Sequence, residues 1–190
     1  MLPPDLGLRL EGIHDELSDP KPLRFAAVLG LLLDRGVDHD DPALLLIERP
    51  TTMRQHAGQL AFPGGKPEPD DRDLLDTALR EAWEEVRLPR ELVSVLGRLH
   101  PVPTPTGYMI VPFVARVSAG WAPTKHDEGE VARVLTPSLR TLLDPGVHRS
   151  GGTVEWEGQR YEMHEFAISE PPLWGATARM VWDLLERIRG

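Results

Sequence analysis

Three glutamates stand close together in one short stretch of the chain: Glu81, Glu84 and Glu85. On a helix with 3.6 residues per turn they are three and four positions apart and share one side. Like charges at this spacing destabilise a helix by roughly 0.2–0.5 kcal/mol per pair, so a helix that needed only solubility would interleave basic residues. Clustered carboxylates supply the hard oxygen ligands that Mg²⁺ and Mn²⁺ prefer. We therefore predict a divalent-metal site here, with a solvated acidic face as the alternative.

The residues around these glutamates predict an amphipathic helix over residues 72–87. Asp70 or Asp71 is the predicted N-cap, and Pro89 marks a point by which the helix has ended. Arg80, four positions before Glu84, is predicted to orient the carboxylates through a salt bridge. The apolar residues fall on one side, which is the predicted core face: Leu75, Ala78, Leu79, Ala82 and Val86.

A pair of glycines, Gly64 and Gly65, precedes this helix directly after Phe62-Pro63. Glycine lets the backbone turn sharply and approach a ligand closely. We therefore predict that a carbonyl of Gly64 or Gly65 completes the oxygen shell of the metal. By itself this sequence is only a turn, but next to the acidic helix it predicts a strand–loop–helix unit with a metal site at its mouth. Phe62 is predicted to pack in the core, and Trp174 to pack the last helix.

Strands and helices are mixed along the chain without a regular β-α-β alternation. This pattern favours an α+β fold, or a mixed sheet between helices. A helix at residues 8–17 is expected to pack outside the main domain, with residues 1–21 as an N-terminal extension and 22–190 as the domain. Strands are predicted at residues 23–33, 43–48, 59–62, 93–99, 109–117, 131–135, 153–156 and 160–168, and further helices at 137–143 and 173–188.

The overall composition excludes several classes of function. The chain has 190 residues, a formal net charge of −9 and no cysteine. An acidic balance argues against a nucleic-acid partner, although a bound cation or local arginines still allow a small anionic substrate. The absence of cysteine excludes disulfides, zinc–thiolate sites and thiol nucleophiles. We find no signal-peptide pattern and no apolar stretch long enough to span a membrane, which predicts a cytoplasmic protein.

The stretch from Gly65 to Leu88 resembles the Nudix box. The specific core of that box, Arg-Glu-x-x-Glu-Glu, is intact from Arg80 to Glu85. The spacing from Gly65 to Arg80 is one residue longer than in the usual box, and Arg87 stands where the family has a glycine. The acidic loop position is open between three residues: Asp70, Asp71 and Asp73.

The flanking sequence is similar to the coenzyme A diphosphatase branch of this family, which often carries the longer spacing too. The similarity includes residues 44–49 and 53–65 before the box, Thr106-Gly107-Tyr108, residues 127–131 and residues 173–179. The resemblance implies an α/β/α sandwich with a mixed sheet, dependence on Mg²⁺ or Mn²⁺, and cleavage of coenzyme A. The products would be 4′-phosphopantetheine and 3′,5′-ADP.

The resemblance also suggests roles for individual residues. The three glutamates, with Gly64 or Gly65, would bind metal, and Arg80 would orient the carboxylates. Glu130, with Glu128 behind it, is the candidate general base, against the alternative of an exposed loop charge. The candidate phosphate contacts, chosen because cationic side chains and His donate to phosphate oxygens, are Arg49, Arg54, Lys66 and His56.

Two other functions fit the same sequence. The first is a Nudix hydrolase for another diphosphate, such as ADP-ribose, a dinucleotide or a nucleoside triphosphate, because substrate choice lies in loops rather than in the box. The second is a non-catalytic ligand-binding domain on the same fold. The intact set of Arg80 and the three glutamates argues against the second, since such a domain does not need metal ligands.

Overall fold

The computed structural model describes residues 2–11, 24–34, 41–52, 56–118, 120–123, 127–156 and 158–190. Within these ranges, strands and helices are mixed without a regular alternation. The helices are α1 Leu6–Glu11, α2 Leu74–Val86, α3 Leu139–Leu143 and α4 Gly175–Arg189, and a short 3₁₀ turn covers Arg90–Leu92. The strands are β1 Arg24–Leu33, β2 Ala43–Glu48, β3 Leu60–Ala61, β4 Gly64–Gly65, β5 Val93–Arg98, β6 Val102–Pro103, β7 Tyr108–Val117, β8 Arg133–Leu135, β9 His148–Trp156 and β10 Gln159–Phe166.

The long apolar strands β1 and β7 run parallel at the centre of a mixed sheet. The sheet order is β3-β2-β1-β7-β5, and every other pairing in it is antiparallel. β4 pairs with β1, β6 with β7, and β8 with β2, while β9 and β10 form a separate hairpin. Parallel neighbours need a long crossover, and here the crossover from β1 to β7 contains α2, the helix of the acidic cluster.

Apolar residues on both faces of β1 bury the sheet between two helical layers. Leu29 and Leu31 face α2, whereas Val28 and Leu32 face α1 and α4. This alternation follows from the two-residue period of a strand. A strand covered on both faces must be apolar throughout, which is why β1 reads as a continuous hydrophobic run. The predicted mixed sheet between helices is confirmed.

The N-terminal helix differs from its prediction. The structure describes a helix, α1, at Leu6–Glu11, and Leu6 and Leu10 are 3% and 0% exposed within the core that α4 also lines. The expectation that this helix packs outside the main domain is therefore wrong. The predicted boundary between residues 21 and 22 lies outside the described residues and stays a prediction.

Four smaller elements also differ from the sequence prediction. Gly64–Gly65 is a short strand that pairs with β1, not only a turn, and the predicted strand at residues 59–62 shrinks to β3. β6 forms within the proline-rich segment before β7, because Val102 pairs with Ile110. β9 begins five residues earlier than predicted. Each difference depends on pairing with another strand, which the pattern within the element itself does not encode.

No helix among the described residues has the length and apolar character needed to cross a membrane. Cytoplasmic location stays a prediction.

The end of α2 supports a stability prediction at Arg87. This residue has φ 55° and ψ 37°, in the left-handed region, and its side chain makes a half-exposed ion pair with Asp127 at 3.7 Å. Arg87→Gly removes the backbone strain, which costs a non-glycine residue roughly 1 kcal/mol, and loses only a weak surface pair. We expect the melting temperature to rise by roughly 2–4 °C in thermal denaturation.

Arg87→Ala is the matched control, because alanine loses the same ion pair but keeps the strained φ. We expect no stabilisation from this variant. An equal rise in both variants would show that the side chain, and not the backbone, is the source of the strain.

Candidate metal centre

The helix α2 carries the acidic residues of the site, and its ends are fixed by local contacts. Asp73 is the N-cap, since its side chain accepts a hydrogen bond from the Asp76 amide at 2.8 Å. The predicted N-cap, Asp70 or Asp71, is wrong, because Asp71 faces Arg80. The predicted core face is confirmed for its four buried members, Ala78, Leu79, Ala82 and Val86, and Leu75 is partly buried against the same cluster.

Three carboxylates converge at this helix: Glu81, Glu85 and Glu130. One oxygen of each lies within 4.8 Å of the oxygens of the other two, the single such group among the residues that the structure describes. Glu81 and Glu85 are one helical turn apart, as predicted. A set of three carboxylate oxygens has the hard donor chemistry that suits Mg²⁺ or Mn²⁺.

Glu130 reaches this site through a loop that is tied to α2. The Asp127 amide donates to the Glu85 carbonyl at 3.1 Å. The Asp127 carbonyl then accepts the amides of Glu130 and Val131 at 3.1 and 2.7 Å, and Val131 is buried. The loop therefore holds Glu130 against the helix although 45 residues separate it from Glu85. Glu128, the second candidate base, is exposed and outside this group.

Glu85 is the most deeply buried of the three carboxylates, with 1% of its surface exposed. One oxygen accepts the Gly64 amide at 2.9 Å, and Arg49 Nη2 lies 4.0 Å from the other. Burial raises the pKa of Glu85 to about 8, against the opposing effects of the Arg49 charge and the Gly64 hydrogen bond. Burial also raises the pKa of Glu81, opposed by the Arg80 charge. A bound cation would compensate the cost of burying these negative charges.

The two glycines of β4 are both needed at their positions, for different reasons. A Cβ on Gly64 would lie 2.3 Å from the Ala27 carbonyl oxygen, and its φ of 156° is unfavourable for other residues. A Cβ on Gly65 would lie 2.2 Å from Glu81 Oε1. The backbone thus passes directly against the carboxylates, as the pairing of glycines predicts. Metal ligation by either glycine carbonyl stays a prediction, and the Gly64 carbonyl accepts a long hydrogen bond of 3.4 Å from Arg49.

A Cβ at Gly64 would meet the backbone of β1, whereas a Cβ at Gly65 would meet a side chain of the carboxylate group. This difference supports a prediction about activity. In Gly65→Ala the three atoms nearest to the new methyl group are all at the end of the flexible Glu81 side chain, so we expect Glu81 to shift while the fold persists. A displacement of about 1 Å at a reacting centre costs roughly 10²-fold in rate. We expect kcat to fall by about that factor at saturating metal, with little change in melting temperature. The matched control is Gly146→Ala, where the Cβ also meets a carboxylate oxygen, of Asp144 at 3.3 Å, but away from the site. Loss of activity in both variants would contradict this explanation.

Arg80 organises the remaining acidic residues. Its Nε donates to Asp71 at 3.0 Å and its Nη1 to Glu84 at 2.8 Å, while Nη2 lies 3.2 Å from Glu81 Oε1. The guanidinium holds the pKa of Asp71 at about 2. Glu84 is 46% exposed and outside the three-carboxylate group, so its predicted role as a metal ligand stays a prediction. Asp71 is the acidic loop residue that the structure joins to Arg80, a choice that the sequence left open.

The four candidate phosphate contacts occupy different positions. Arg49 lies beside Glu85, as described above. Lys66 is exposed, and its carbonyl accepts Arg80 Nη2 at 3.0 Å. His56 is exposed and its ring contacts the Gln59 side chain at 2.8 Å, which favours a structural role. Arg54 lies outside the described residues.

The two aromatic residues for which the sequence predicted packing differ in burial. Phe62 is buried in the core as predicted, whereas Trp174 is 50% exposed, so its predicted packing is wrong.

The fold and this acidic centre together define a family. The Nudix domain matches residues 23–156, and the chain therefore belongs to the Nudix family. It is a Nudix hydrolase, an enzyme that cleaves diphosphate bonds.

Particular relatives are similar over most of their length. The Nudix hydrolase NudL of Yersinia pestis (strain Pestoides F), described as uncharacterized, is 38% identical over 165 residues, which cover 87% of this chain and 80% of the relative. NudL of Yersinia pseudotuberculosis serotype O:1b has the same identity and coverage. A solved MutT/nudix family protein from Enterococcus faecalis has a TM-score of 0.52 at 19% identity, covering 90% of this chain and 63% of that one. The last similarity concerns the fold alone.

Proposed function

We propose that this enzyme hydrolyses the diphosphate of coenzyme A, or of its derivatives, to 4′-phosphopantetheine and 3′,5′-ADP, and that it uses Mg²⁺ or Mn²⁺. The observation that carries the proposal is the position of Arg49. This residue lies in the segment whose sequence resembles the coenzyme A diphosphatase branch, and β2 places it at the buried Glu85. The segment that distinguishes the branch is thus part of the metal centre itself.

The residues of the centre suggest which side chains bind the cation and which one orients a carboxylate. Glu81, Glu85 and Glu130 would hold the divalent cation, and Glu130 would then act as a ligand rather than as a separate general base. When bound, such a cation stabilises charge on the diphosphate and lowers the pKa of a coordinated water. Arg80 keeps the Glu81 carboxylate oriented through the contact at 3.2 Å. It acts as a positioning residue.

Arg49 is suited to contact the diphosphate. Its side chain is 24% exposed and its guanidinium is held at the edge of the carboxylate cluster by the Gly64 carbonyl and Glu85. A partly buried guanidinium can donate to two phosphate oxygens while it remains charged at any working pH. Its charge also offsets part of the repulsion between the carboxylates and an anionic substrate.

Product analysis by mass spectrometry tests this proposal. The pure protein is incubated separately with coenzyme A, ADP-ribose and a dinucleotide, each with Mg²⁺, with Mn²⁺ and with a chelator. We expect 4′-phosphopantetheine and 3′,5′-ADP to appear only with metal, while ADP-ribose stays largely intact. Cleavage of ADP-ribose or the dinucleotide in preference to coenzyme A would overturn the substrate assignment and leave the Nudix chemistry in place.

A further inference from the structure

A cationic cluster lies beside the carboxylate centre, around the ring of Tyr108. The guanidinium carbon of Arg24 is 4.4 Å from the ring centroid, and Lys66 Nζ is 5.4 Å from the same centroid. We call these three residues the Tyr108 cluster. Cations are attracted to the face of an aromatic ring, so one ring holds two positive charges at the surface.

Within the described part of the chain, no ion pair neutralises the positive charge of the Tyr108 cluster. Among the residues that the structure describes, neither Arg24 nor Lys66 has a carboxylate within 4.0 Å, whereas Arg116 and Arg187 are paired with Asp34 and Asp183. This difference is notable in a chain with a net charge of −9. Two neighbouring cations create a local positive potential that favours an anionic ligand.

Local hydrogen bonds fix the geometry of the Tyr108 cluster. Arg24 Nη2 donates to the Thr106 carbonyl at 2.8 Å, and the Gly107 amide donates to the Thr104 carbonyl at 2.9 Å. The Thr104 hydroxyl donates to the Tyr108 carbonyl at 3.0 Å. Arg24 and Tyr108 are also register partners at the start of the parallel strands β1 and β7. The turn therefore holds the guanidinium and the ring in place before any ligand arrives.

Lys66 connects the Tyr108 cluster to the metal centre. It follows Gly65, which lies against Glu81, and its carbonyl accepts Arg80 Nη2. Gly65 pairs with Ala27, and Arg24 is three residues before Ala27 on β1, a distance of about 10 Å along a strand. The cluster is thus close to the carboxylates but separate from them.

We propose that the Tyr108 cluster is a phosphate subsite that binds the 3′-phosphate on the nucleotide half of the substrate. This inference rests on the proposed function, because coenzyme A carries that phosphomonoester one ribose away from its diphosphate. The diphosphate must lie at the carboxylates for hydrolysis, so cations displaced along the strand meet a different phosphate. Arg24 and Lys66 provide donors for its oxygens, and these residues would make the enzyme select substrates with a 3′-phosphate.

Kinetics with coenzyme A and with dephospho-coenzyme A, which lacks the 3′-phosphate, test the subsite. We expect the wild-type enzyme to prefer coenzyme A, and Arg24→Gln to reduce the ratio of the two kcat/KM values by about 10- to 100-fold. The change should lie mainly in KM for coenzyme A. Arg24→Lys keeps the charge and should restore part of the ratio.

The matched control is Arg149→Gln, an exposed arginine of β9 in the separate hairpin, which should leave the ratio unchanged. An unchanged ratio in the double variant Arg24→Gln/Lys66→Gln would overturn the subsite. Equal losses with both substrates would also overturn it, since the cations would then contact the diphosphate.

Product binding separates failure of the subsite from failure of the proposed function. Calorimetry measures the affinity of the wild-type protein for 3′,5′-ADP and for 5′-AMP without any turnover. We expect tighter binding of 3′,5′-ADP, and loss of the difference in Arg24→Gln. If coenzyme A is not cleaved but this difference is found, the proposed function fails and the subsite stands. Equal affinities for the two nucleotides overturn the subsite whether or not coenzyme A is cleaved.

Discussion

Replacing Glu85 with glutamine is expected to reduce kcat by roughly 10³-fold or more while the protein stays folded. Glutamine has the shape of glutamate and keeps an oxygen that can accept the Gly64 amide, but it lacks the charge that holds a divalent cation. The carboxylate is 1% exposed and belongs to the three-carboxylate group. Turnover assays at saturating Mg²⁺ and Mn²⁺ measure the effect. Activity near the wild-type level would remove Glu85 from the centre.

The same substitution is expected to stabilise the metal-free protein at alkaline pH. Burial raises the pKa of Glu85 from its ordinary value of 4.5 to about 8. A carboxyl with a raised folded pKa contributes stability that is fully present below pH about 4.5 and is lost as pH rises to about 8. Glutamine has no charge to bury and avoids this loss. We expect Glu85→Gln to be more stable than the wild type by on the order of 1–3 kcal/mol at pH 8, and by nothing at pH 4.

Thermal denaturation with a chelator, repeated with Mn²⁺, measures both effects. Added metal should raise the melting temperature of the wild type but not of Glu85→Gln, because only the folded wild type binds the ion. Glu84→Gln is the matched control, since it removes the same charge from a half-exposed position. The free energy of unfolding of Glu84→Gln, relative to the wild type, should not increase as the pH rises. Equal gains in the two variants would indicate that general charge repulsion, and not burial of Glu85, is relieved.

Replacing Gly64 with alanine is expected to destabilise the fold by roughly 3 kcal/mol or more. The new Cβ would lie 2.3 Å from the Ala27 carbonyl oxygen and 2.6 Å from Val28 Cα, both atoms of the backbone of β1. Backbone of a central strand cannot move aside as a flexible side chain does. We expect the melting temperature to fall by roughly 10 °C, measured by calorimetry without metal.

Gly152→Ala is the matched control for this effect. Gly152 has a φ of 84°, and a Cβ there meets nothing within 4 Å. This variant therefore carries the cost of a positive φ without a collision, roughly 1 kcal/mol. The difference between the two variants measures the collision in β4. Similar losses in both would mean that the backbone conformation alone requires glycine at position 64.

The sequence alone was sufficient for the helix that carries Glu81 and Glu85. The spacing of these residues and the apolar face of α2 depend only on the 3.6-residue period, which is a local property. The apolar runs of β1 and β7 likewise predicted strands, and the mixture of strands and helices predicted the mixed sheet. Local periodicity therefore determined which segments form strands and helices, and which face of α2 packs in the core.

Contacts between distant segments decided the rest. Glu130 joins the centre because the Asp127 amide binds the Glu85 carbonyl, whereas Glu128, also exposed, stays outside the group. β4 forms because Gly64 and Gly65 pair with the backbone of β1. Leu6 of α1 is buried because α1 packs against the core. Loop carboxylates, strand partners and the packing of a short helix depend on which surfaces meet after the chain has folded. A sequence read locally contains the period of each element, whereas the identity of its neighbour is a property of the tertiary structure.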